Sequence, residues 1–219
     1  MKKNTDLKLK KKYADGNDYK KRKRHLIVPE IFSAVADAWY KKGMKATISM
    51  EDIAAEMGGS TGILYYYFKS KGDMMYQMQQ YLFEKMAEEL TPIYEDRSLT
   101  ARQRLEKVLA SHIMVNCRYW KIARALWTDY AWDIQPADLV LINKIKRKEY
   151  MNSIQSIFDE ICAAEGRDAS DNKLKVMLSM NMIDQIWGWY VEGKGYSADE
   201  LARLTVGYII NGFLPLQYP

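Results

Sequence analysis

The feature that most constrains this chain is a glycine turn, Gly58-Gly59, between two short helical segments. Ser49 is followed three residues later by Asp52, the spacing of a capping box with Asp in place of Glu or Gln. A first helix is therefore predicted over residues 50–57, and the glycines end it. A second helix is predicted over residues 61–67. Two short helices joined in this way have the geometry of a helix-turn-helix unit, whose second helix can enter a DNA major groove.

A turn between two short helices is weak evidence for DNA binding by itself, because many globular proteins contain one. The surrounding residues are more specific. Apolar, small and basic residues lie at the expected positions: Ile31, Val35, Ala38, Trp39, Ile53, Ala54, Gly58, Ser60, Gly62, Leu64, Tyr65, Phe68 and Lys71. On these positions, residues 29–75 resemble the N-terminal domain of the TetR family of transcriptional regulators. The resemblance implies a DNA-binding domain of three helices.

The length of the chain, 219 residues, is enough for one small and one larger helical domain. Beyond the helix-turn-helix unit, helical periodicity without an alternating strand pattern predicts helices over 73–93, 100–118, 119–131, 136–164, 171–192 and 197–211. The predicted fold class is therefore all-α. An N-terminal three-helix helix-turn-helix DNA-binding domain occupies residues 29–75, and a C-terminal helical ligand-binding and dimerisation domain occupies residues 76–219.

Positive charge is concentrated at the start of the chain. Residues 1–24 carry eleven Lys and Arg and three Asp, a net charge of +8, whereas the rest carries 22 basic and 25 acidic residues. Residues 1–28 lack a periodic apolar pattern and are predicted to form a mostly disordered arm, with Pro29 at the first position of the first helix. Such an arm can contact DNA phosphates or a minor groove. The alternative is a solvated tail.

The start of the second short helix is the predicted site of base contacts. The hydroxyls of Ser60 and Thr61 can donate to or accept from several bases, and Ile63 can contact a thymine methyl group. Gly62 lets the helix backbone approach DNA closely. Because phosphate contacts position a protein and base contacts specify sequence, these residues are assigned the specificity.

Three consecutive tyrosines complete this helix. The resemblance implies that Tyr65 binds a phosphate and that Tyr66 or Tyr67 also faces the DNA backbone. Helical geometry places Leu64 and Phe68 in the core, so at least one tyrosine is expected to be half-buried. Two further residues near helix starts are predicted phosphate contacts, and the capping serine joins the DNA-contacting set: Thr47, Lys71 and Ser49.

Aromatic and methionine side chains crowd the C-terminal domain. Such side chains line apolar ligand sites, although each can equally serve core or dimer packing. The candidate effector-contacting residues are Met114, Trp120, Trp127, Tyr130, Tyr150, Trp187 and Tyr190. His112 is a lone histidine in an apolar helical pattern, which is more typical of a core or pocket-wall residue than of a catalyst.

Residues 181–202, together with Arg147 and Tyr150, are similar to the branch of TetR regulators that responds to fatty acyl-CoA or other CoA thioesters. The resemblance implies that Trp187 and Tyr190 hold an acyl chain. Hydrophobic drugs or steroid-like effectors fit the composition equally well. Cations that could meet the CoA phosphates, or that simply face solvent, are Arg118, Lys121, Arg124, Lys144 and Arg147.

The last two predicted helices are amphipathic, and their apolar stripes must be buried somewhere. These stripes contain Leu174, Leu178, Ile186, Leu201, Leu204 and Tyr208. In the family this pair of helices forms the interface of a homodimer. A two-fold dimer would read two half-sites of a near-palindromic double-stranded DNA operator, about 34–36 Å or a multiple apart.

The function classes that remain are regulatory. The chain has no Gly-rich phosphate loop, HExxH motif or nucleophile elbow, so an enzyme is disfavoured, and no cofactor or metal is expected. The sequence contains no stretch of 18 apolar residues, so no membrane partner is expected. A cytoplasmic location is expected. The predicted function is repression relieved by a hydrophobic small-molecule effector. The alternative is a DNA-binding regulator or activator without such an effector.

Overall fold

The computed structural model describes residues 17–43, 47–126 and 137–214, with side chains from residue 26 and, in the last range, from residue 140. Within these ranges, extended pairing is limited to one isolated bridge between Val191 and Lys194. The predicted all-α fold class is therefore confirmed. None of the described helices has the length and apolar content needed to cross a membrane.

Ten helices are described, numbered here in chain order. They are α1 (Asn17–Lys42), α2 (Met50–Glu56), α3 (Thr61–Tyr67), α4 (Lys71–Glu95), α5 (Ala101–Arg118), α6 (Trp120–Leu126), α7 (Ala137–Glu165), α8 (Asn172–Asp184), α9 (Ile186–Trp189) and α10 (Ala198–Phe213). The chain forms two compact units: Met1–Leu82 with Lys121–Val140, and Phe83–Trp120 with Leu141–Pro219. The first unit thus extends past the sequence-based boundary at residue 75 and includes a later segment.

Helix α1 begins at Asn17 and contains Pro29 in its interior, so the prediction of a disordered arm is wrong from residue 17 onward. Residues 17–28 are rich in Lys and Arg, whose helix propensities approach that of Ala. Proline removes one backbone donor, but its fixed φ is compatible with a helix. Ile27 and Ile31 are 3% and 0% exposed, and their burial helps to offset the lost hydrogen bond. The predicted arm over residues 1–16 lies outside the described residues.

The first unit is held together by a core of aromatic, aliphatic and methionine side chains. Its fully buried members include Phe32, Val35, Trp39, Ile53, Leu64, Phe68, Met74 and Met78. The ring of Phe32 lies 5.8 Å from that of Phe68 and 5.5 Å from that of Tyr81, centroid to centroid. Lys121 of α6 pairs with Asp37 of α1 at 2.5 Å, which attaches the later segment to this unit.

The second unit has its own apolar core, to which α4, α5, α7, α8, α9 and α10 contribute. Arg102 of α5 bridges two distant parts of this unit, because its guanidinium donates to Glu165 at 2.7 Å and to the carbonyl of Leu214 at 2.9 Å. Helix α7 ends at Glu165 and is followed by Gly166, whose φ of +63° suits a residue without a side chain. The next N–H, of Arg167, donates back to the carbonyl of Cys162 at 2.9 Å, confirming the predicted glycine cap.

The predicted helix over 171–192 is two helices, α8 and α9, which meet at Gln185. Asn116 of α5 donates its side-chain amide to the carbonyl of Ile183 at 3.2 Å. A side chain that donates to a helical carbonyl competes with the backbone N–H that would otherwise bond to that oxygen. This competition interrupts the series of backbone hydrogen bonds and accounts for the break. The capping box predicted for the last helix is confirmed, because Ser197 and Glu200 exchange both of its hydrogen bonds.

Candidate DNA-binding surface and effector-binding residues

The turn between α2 and α3 is fixed by local hydrogen bonds. Ser49 caps α2 through the predicted capping box: its hydroxyl accepts from the Asp52 N–H at 3.2 Å, and its own N–H donates to the Asp52 carboxylate at 2.7 Å. Gly58 has φ +64°, and its N–H donates to Ala55. The N–H of Gly59 donates to the carbonyl of Ala54 at 2.9 Å, which completes a Schellman motif.

Helix α3 is docked by one face and exposed on the other. Leu64 is 0% exposed and Phe68 is 1% exposed, as predicted, and they anchor the helix to the first unit. Tyr65 and Tyr66 are 57% and 64% exposed. Tyr67 is half-buried with its ring edge-on to Tyr66 at 5.0 Å, which confirms that at least one tyrosine is partly core.

The predicted base-contacting residues lie at the N-cap and in the first turn of α3. Ser60 is exposed and its hydroxyl makes no capping hydrogen bond, while Thr61 and Ile63 are half-buried. Gly62 is exposed, and a Cβ added there would meet only the Ser60 hydroxyl, at 3.7 Å. Internal packing therefore does not require a glycine at position 62, and the small residue leaves the helix backbone accessible.

The other predicted DNA contacts differ in their surroundings. Thr47 is exposed, and the Ser49 hydroxyl already accepts the capping bond. The Lys71 ammonium donates to the carbonyl of Ile48, so this lysine also braces the start of α4 against the segment before α2. Sequence reasoning missed Lys69, which is exposed immediately after α3 and could have been noted as a cation beside the tyrosines.

Two lysines at the end of α1 hold α2 in place. Lys41 pairs with Glu56 at 2.6 Å, and Lys42 pairs with Asp52 at 2.6 Å. Hydrogen bonds from the Lys42 ammonium and then from the Ser49 N–H lower the pKa of Asp52 to about 2. Because its folded-state pKa is depressed, Asp52 contributes stability above its unfolded pKa, and that contribution is lost as pH falls through about 2.

We therefore expect Asp52→Asn to reduce the pH dependence of unfolding of the first unit. The wild-type protein should lose stability relative to this variant between about pH 4 and pH 2, because only the wild type protonates the capping carboxylate. Urea unfolding followed by circular dichroism across this range measures the difference. Glu51→Gln removes a carboxylate from the same turn outside the capping box and is the control. An Asp52→Asn variant with the wild-type pH profile would contradict the assignment.

Five of the seven candidate effector-contacting residues belong to one cluster in the second unit. Trp120 and Tyr190 are each 5% exposed, and three partly buried residues pack against the same core: Met114, Tyr150 and Trp187. Trp127 and Tyr130 lie outside the described residues. The structure thus brings together side chains from α5, the start of α6, α7 and the end of the α8–α9 segment.

A group of polar side chains lies among these apolar residues and was not predicted as a group. The Tyr150 hydroxyl is 2.6 Å from Nδ1 of His112, and Nε2 of His112 is 3.4 Å from the Asp184 carboxylate. Arg147 donates to the other oxygen of Asp184 at 3.1 Å. His112 is 3% exposed, as expected for a core or pocket-wall residue. Asp184 could have been noticed as the one acidic residue in the apolar run 180–187.

The predicted phosphate-binding cations are largely engaged within the protein. Arg118 pairs with Glu89 at 2.6 Å, Lys121 pairs with Asp37, and Arg147 pairs with Asp184. Exposed ion pairs of this kind rearrange at little cost, so the pairing does not prevent contact with a ligand.

The six residues of the predicted dimer stripe differ in exposure. Ile186 and Leu201 are 2% and 5% exposed and pack into the core of their own chain, and Leu204 is half-buried. The other three are exposed, and three exposed apolar residues that were not predicted lie on α8 and α9; together these six are 42–66% exposed: Leu174, Met177, Leu178, Met182, Trp189 and Tyr208. We call these six residues the exposed apolar strip. A contiguous set of large exposed apolar side chains is typical of an interaction site.

Two family models match most of the described chain. The model described as "Bacterial regulatory proteins, tetR family" matches residues 31–78. The model described as "Tetracyclin repressor-like, C-terminal domain" matches residues 98–213, more than half of the chain. The chain belongs to the TetR family. It is accordingly a DNA-binding transcriptional regulator, and the first unit contains its helix-turn-helix.

Solved structures show the same TetR fold over most of the chain. A TetR-family regulator from Bordetella parapertussis 12822 is 21% identical, with a TM-score of 0.73, and the match covers 88% of this chain and 98% of that one. AibR in complex with isovaleryl coenzyme A and operator DNA is 18% identical, with a TM-score of 0.68 and coverage of 82% and 96%. At these identities the likeness concerns the fold.

This TetR-family chain is also similar to the fatty acid metabolism regulator protein of Bacillus subtilis (strain 168). The two are 24% identical over 166 residues, which cover 73% of this chain and 82% of the relative. The resemblance to the acyl-CoA-responsive branch inferred from the sequence is in keeping with this relative and with AibR.

Proposed function

We propose that this TetR-family regulator is a repressor that binds a near-palindromic operator as a homodimer and is released by an acyl-CoA. The observation that carries the DNA-binding part is the docking of α3. Leu64 and Phe68 fix one face in the core, while Ser60, Gly62 and Tyr65 stand on the accessible side. A helix held in this way can enter a major groove without rearrangement.

The exposed apolar strip supports the dimer. Its residues lie on the last two long helices and the short helix between them, within the second unit. Pairing two copies through the same strip forms an isologous two-fold interface that removes the strip from water. Two recognition helices related by that axis would read half-sites about one helical turn, or a multiple of it, apart.

The cluster around Trp120, Trp187 and Tyr190 supports an apolar effector. Aromatic and methionine side chains provide large apolar contact area, and the flexible methionines adapt to ligand shape. One relative is named as a regulator of fatty acid metabolism in B. subtilis, and the solved structure of AibR is a complex with isovaleryl coenzyme A and operator DNA. An acyl-CoA can release the operator only if it binds more tightly to the form of the dimer that is not bound to DNA.

The cationic start of the chain is proposed to add electrostatic affinity for DNA. Five consecutive cations, residues 20–24, stand on the N-terminal part of α1, ahead of the helix-turn-helix. Contacts between such cations and phosphates release counterions without reading sequence. We place the regulator in the cytoplasm, where its proposed operator is.

Binding of the purified full-length protein to fragments of its own genome tests this function. We expect one or a few near-palindromic sites to be enriched. Adding butanoyl-, octanoyl- or hexadecanoyl-CoA should then lower the affinity for the enriched site about 5- to 150-fold, as expected for a coupling free energy of about 1–3 kcal/mol. Free CoA is the control for effects of the nucleotide moiety.

The outcomes separate the alternatives. Enrichment of a site with no response to any acyl-CoA would favour a regulator without such an effector. Tighter operator binding with an acyl-CoA would indicate co-repression. Reporter transcription that falls when the gene is deleted would identify an activator. Absence of any enriched site would contradict sequence-specific DNA binding.

A further inference from the structure

Helix α9 carries candidate effector contacts on one side and a member of the exposed apolar strip on the other. Trp187 packs against the core of the second unit, and Tyr190, the C-cap of α9, is 5% exposed. Trp189 stands between them in the chain and is 56% exposed. The three residues lie within about one helical turn, so a movement of Trp187 or Tyr190 also moves Trp189. Helix α9 thus joins the effector-contacting cluster to the proposed dimer interface.

The end of α8, just before α9, is fixed by side chains from α5 and α7. Asn116 donates to the carbonyl of Ile183 at 3.2 Å. The Asp184 carboxylate lies 3.4 Å from Nε2 of His112 and accepts from Arg147 at 3.1 Å. These contacts hold the last turn of α8 against two other helices. Such a positional role accounts for a polar cluster in a core that is otherwise almost wholly apolar.

Helix α9 itself is held less firmly. It follows the break at Gln185 and has four residues, whereas an isolated helix needs about 12–15 residues to be stable. Gly188 in its middle is exposed, and a Cβ added there would meet no atom of another described segment within 4 Å. Packing therefore does not require a glycine, and glycine disfavours the helix. The position of α9 depends mainly on how its apolar side chains pack.

We propose that α9 links effector binding to subunit pairing. An acyl chain that packs against Trp187 and Tyr190 displaces α9 and moves Trp189 out of the dimer interface, which weakens the dimer. Protein interiors are close-packed, so a chain inserted among core side chains shifts the element that is held least firmly. Dissociation of the dimer separates the two recognition helices and releases the operator. This inference rests on the proposed dimer and acyl-CoA response, and it adds the connection between them.

Thermodynamic linkage sets the sizes of two effects. If each bound acyl-CoA weakens pairing about 5-fold, the lower end of usual allosteric couplings, two bound molecules raise the dimer dissociation constant about 25-fold. By reciprocity, an isolated protomer then binds acyl-CoA about 5-fold more tightly than a protomer within the dimer. Leu178→Glu, which places a charge in the strip on α8, supplies the isolated protomer.

The test measures the dimer dissociation constant by sedimentation of the fluorescently labelled full-length protein over a dilution series. The probe is whichever of butanoyl-, octanoyl- and hexadecanoyl-CoA binds most tightly by calorimetry, and free CoA is the control for the nucleotide moiety. We expect the acyl-CoA to raise the constant about 25-fold and free CoA to leave it unchanged. Calorimetry should show about 5-fold tighter binding of the same acyl-CoA to Leu178→Glu than to the wild-type dimer.

Two alanine variants of the strip separate this linkage from a general weakening of the interface. Trp189→Ala removes the exposed side chain of α9, so acyl-CoA should change the dimer dissociation constant of this variant less than about 2-fold. Tyr208→Ala removes a strip residue of α10 that is 66% exposed. It should also weaken pairing, but it should keep the response of about 25-fold, because α9 is intact. Circular dichroism checks that both variants are folded.

The possible outcomes distinguish this inference from the proposed function. An acyl-CoA that binds and releases the operator, but leaves the dimer dissociation constant unchanged or lowers it, would overturn the linkage and leave the repressor function intact. A folded, dimeric Trp189→Ala variant with the wild-type response to acyl-CoA would overturn it as well. If no CoA compound binds, or if the wild type is a monomer, the proposed function itself fails, and this inference fails with it.

Discussion

Leu178→Glu is expected to convert the protein into a monomer and to abolish specific operator binding. Leu178 is 44% exposed at the centre of the exposed apolar strip, between Leu174 and Met182 on α8. In an isologous interface each side chain near the axis faces the same region of the partner, so two introduced carboxylates would be buried close together. We expect operator affinity to fall about 1000-fold or more, toward the level of non-specific binding.

Light scattering after size-exclusion chromatography and operator titrations measure these two effects. Leu141→Glu is the matched control, because Leu141 is a leucine of α7 in the same unit that is 58% exposed and lies outside the strip. It should remain dimeric and bind the operator normally. A dimeric Leu178→Glu variant with full operator affinity would place the subunit interface elsewhere.

The helix-turn-helix could be predicted in detail because its determinants are local. The capping box of Ser49 and Asp52 and the glycine turn at Gly58 each depend on residues within a few positions of one another. The start of α1 could not be predicted in the same way. It depends on the burial of Ile27 in the first unit, a tertiary contact that outweighs the local signal of Pro29.

The effector-binding residues could be predicted only in part. Large aromatic residues identify an apolar cluster from composition alone, and Trp120, Trp187 and Tyr190 do lie together. The polar cluster could not be foreseen, because His112, Tyr150 and Asp184 are far apart in the sequence and meet only through helix packing. The break at Gln185 also depends on a tertiary contact, the hydrogen bond that Asn116 of α5 donates to the carbonyl of Ile183.

Replacing both Thr61 and Ile63 with alanine is expected to change which DNA sequence the protein prefers. The two residues lie at the start of α3, where recognition helices meet base edges. Each lost base contact in a half-site should weaken binding by about 1–3 kcal/mol, so affinity for the wild-type operator should fall about 10- to 100-fold or more. Affinity for unrelated DNA should change little, because those contacts are made to phosphates.

Tyr65→Phe is the contrasting variant. It removes only a hydroxyl from a side chain that is 57% exposed, and it should weaken operator and unrelated DNA by a similar factor of a few-fold. Competition titrations with both DNAs at fixed salt, together with a repeated binding selection, separate loss of specificity from loss of phosphate contact. Because Ile63 is half-buried, thermal melts are needed to show that the double variant is as stable as the wild type. If the double variant melts normally and retains both the affinity and the sequence preference of the wild type, α3 is not the element that reads the bases.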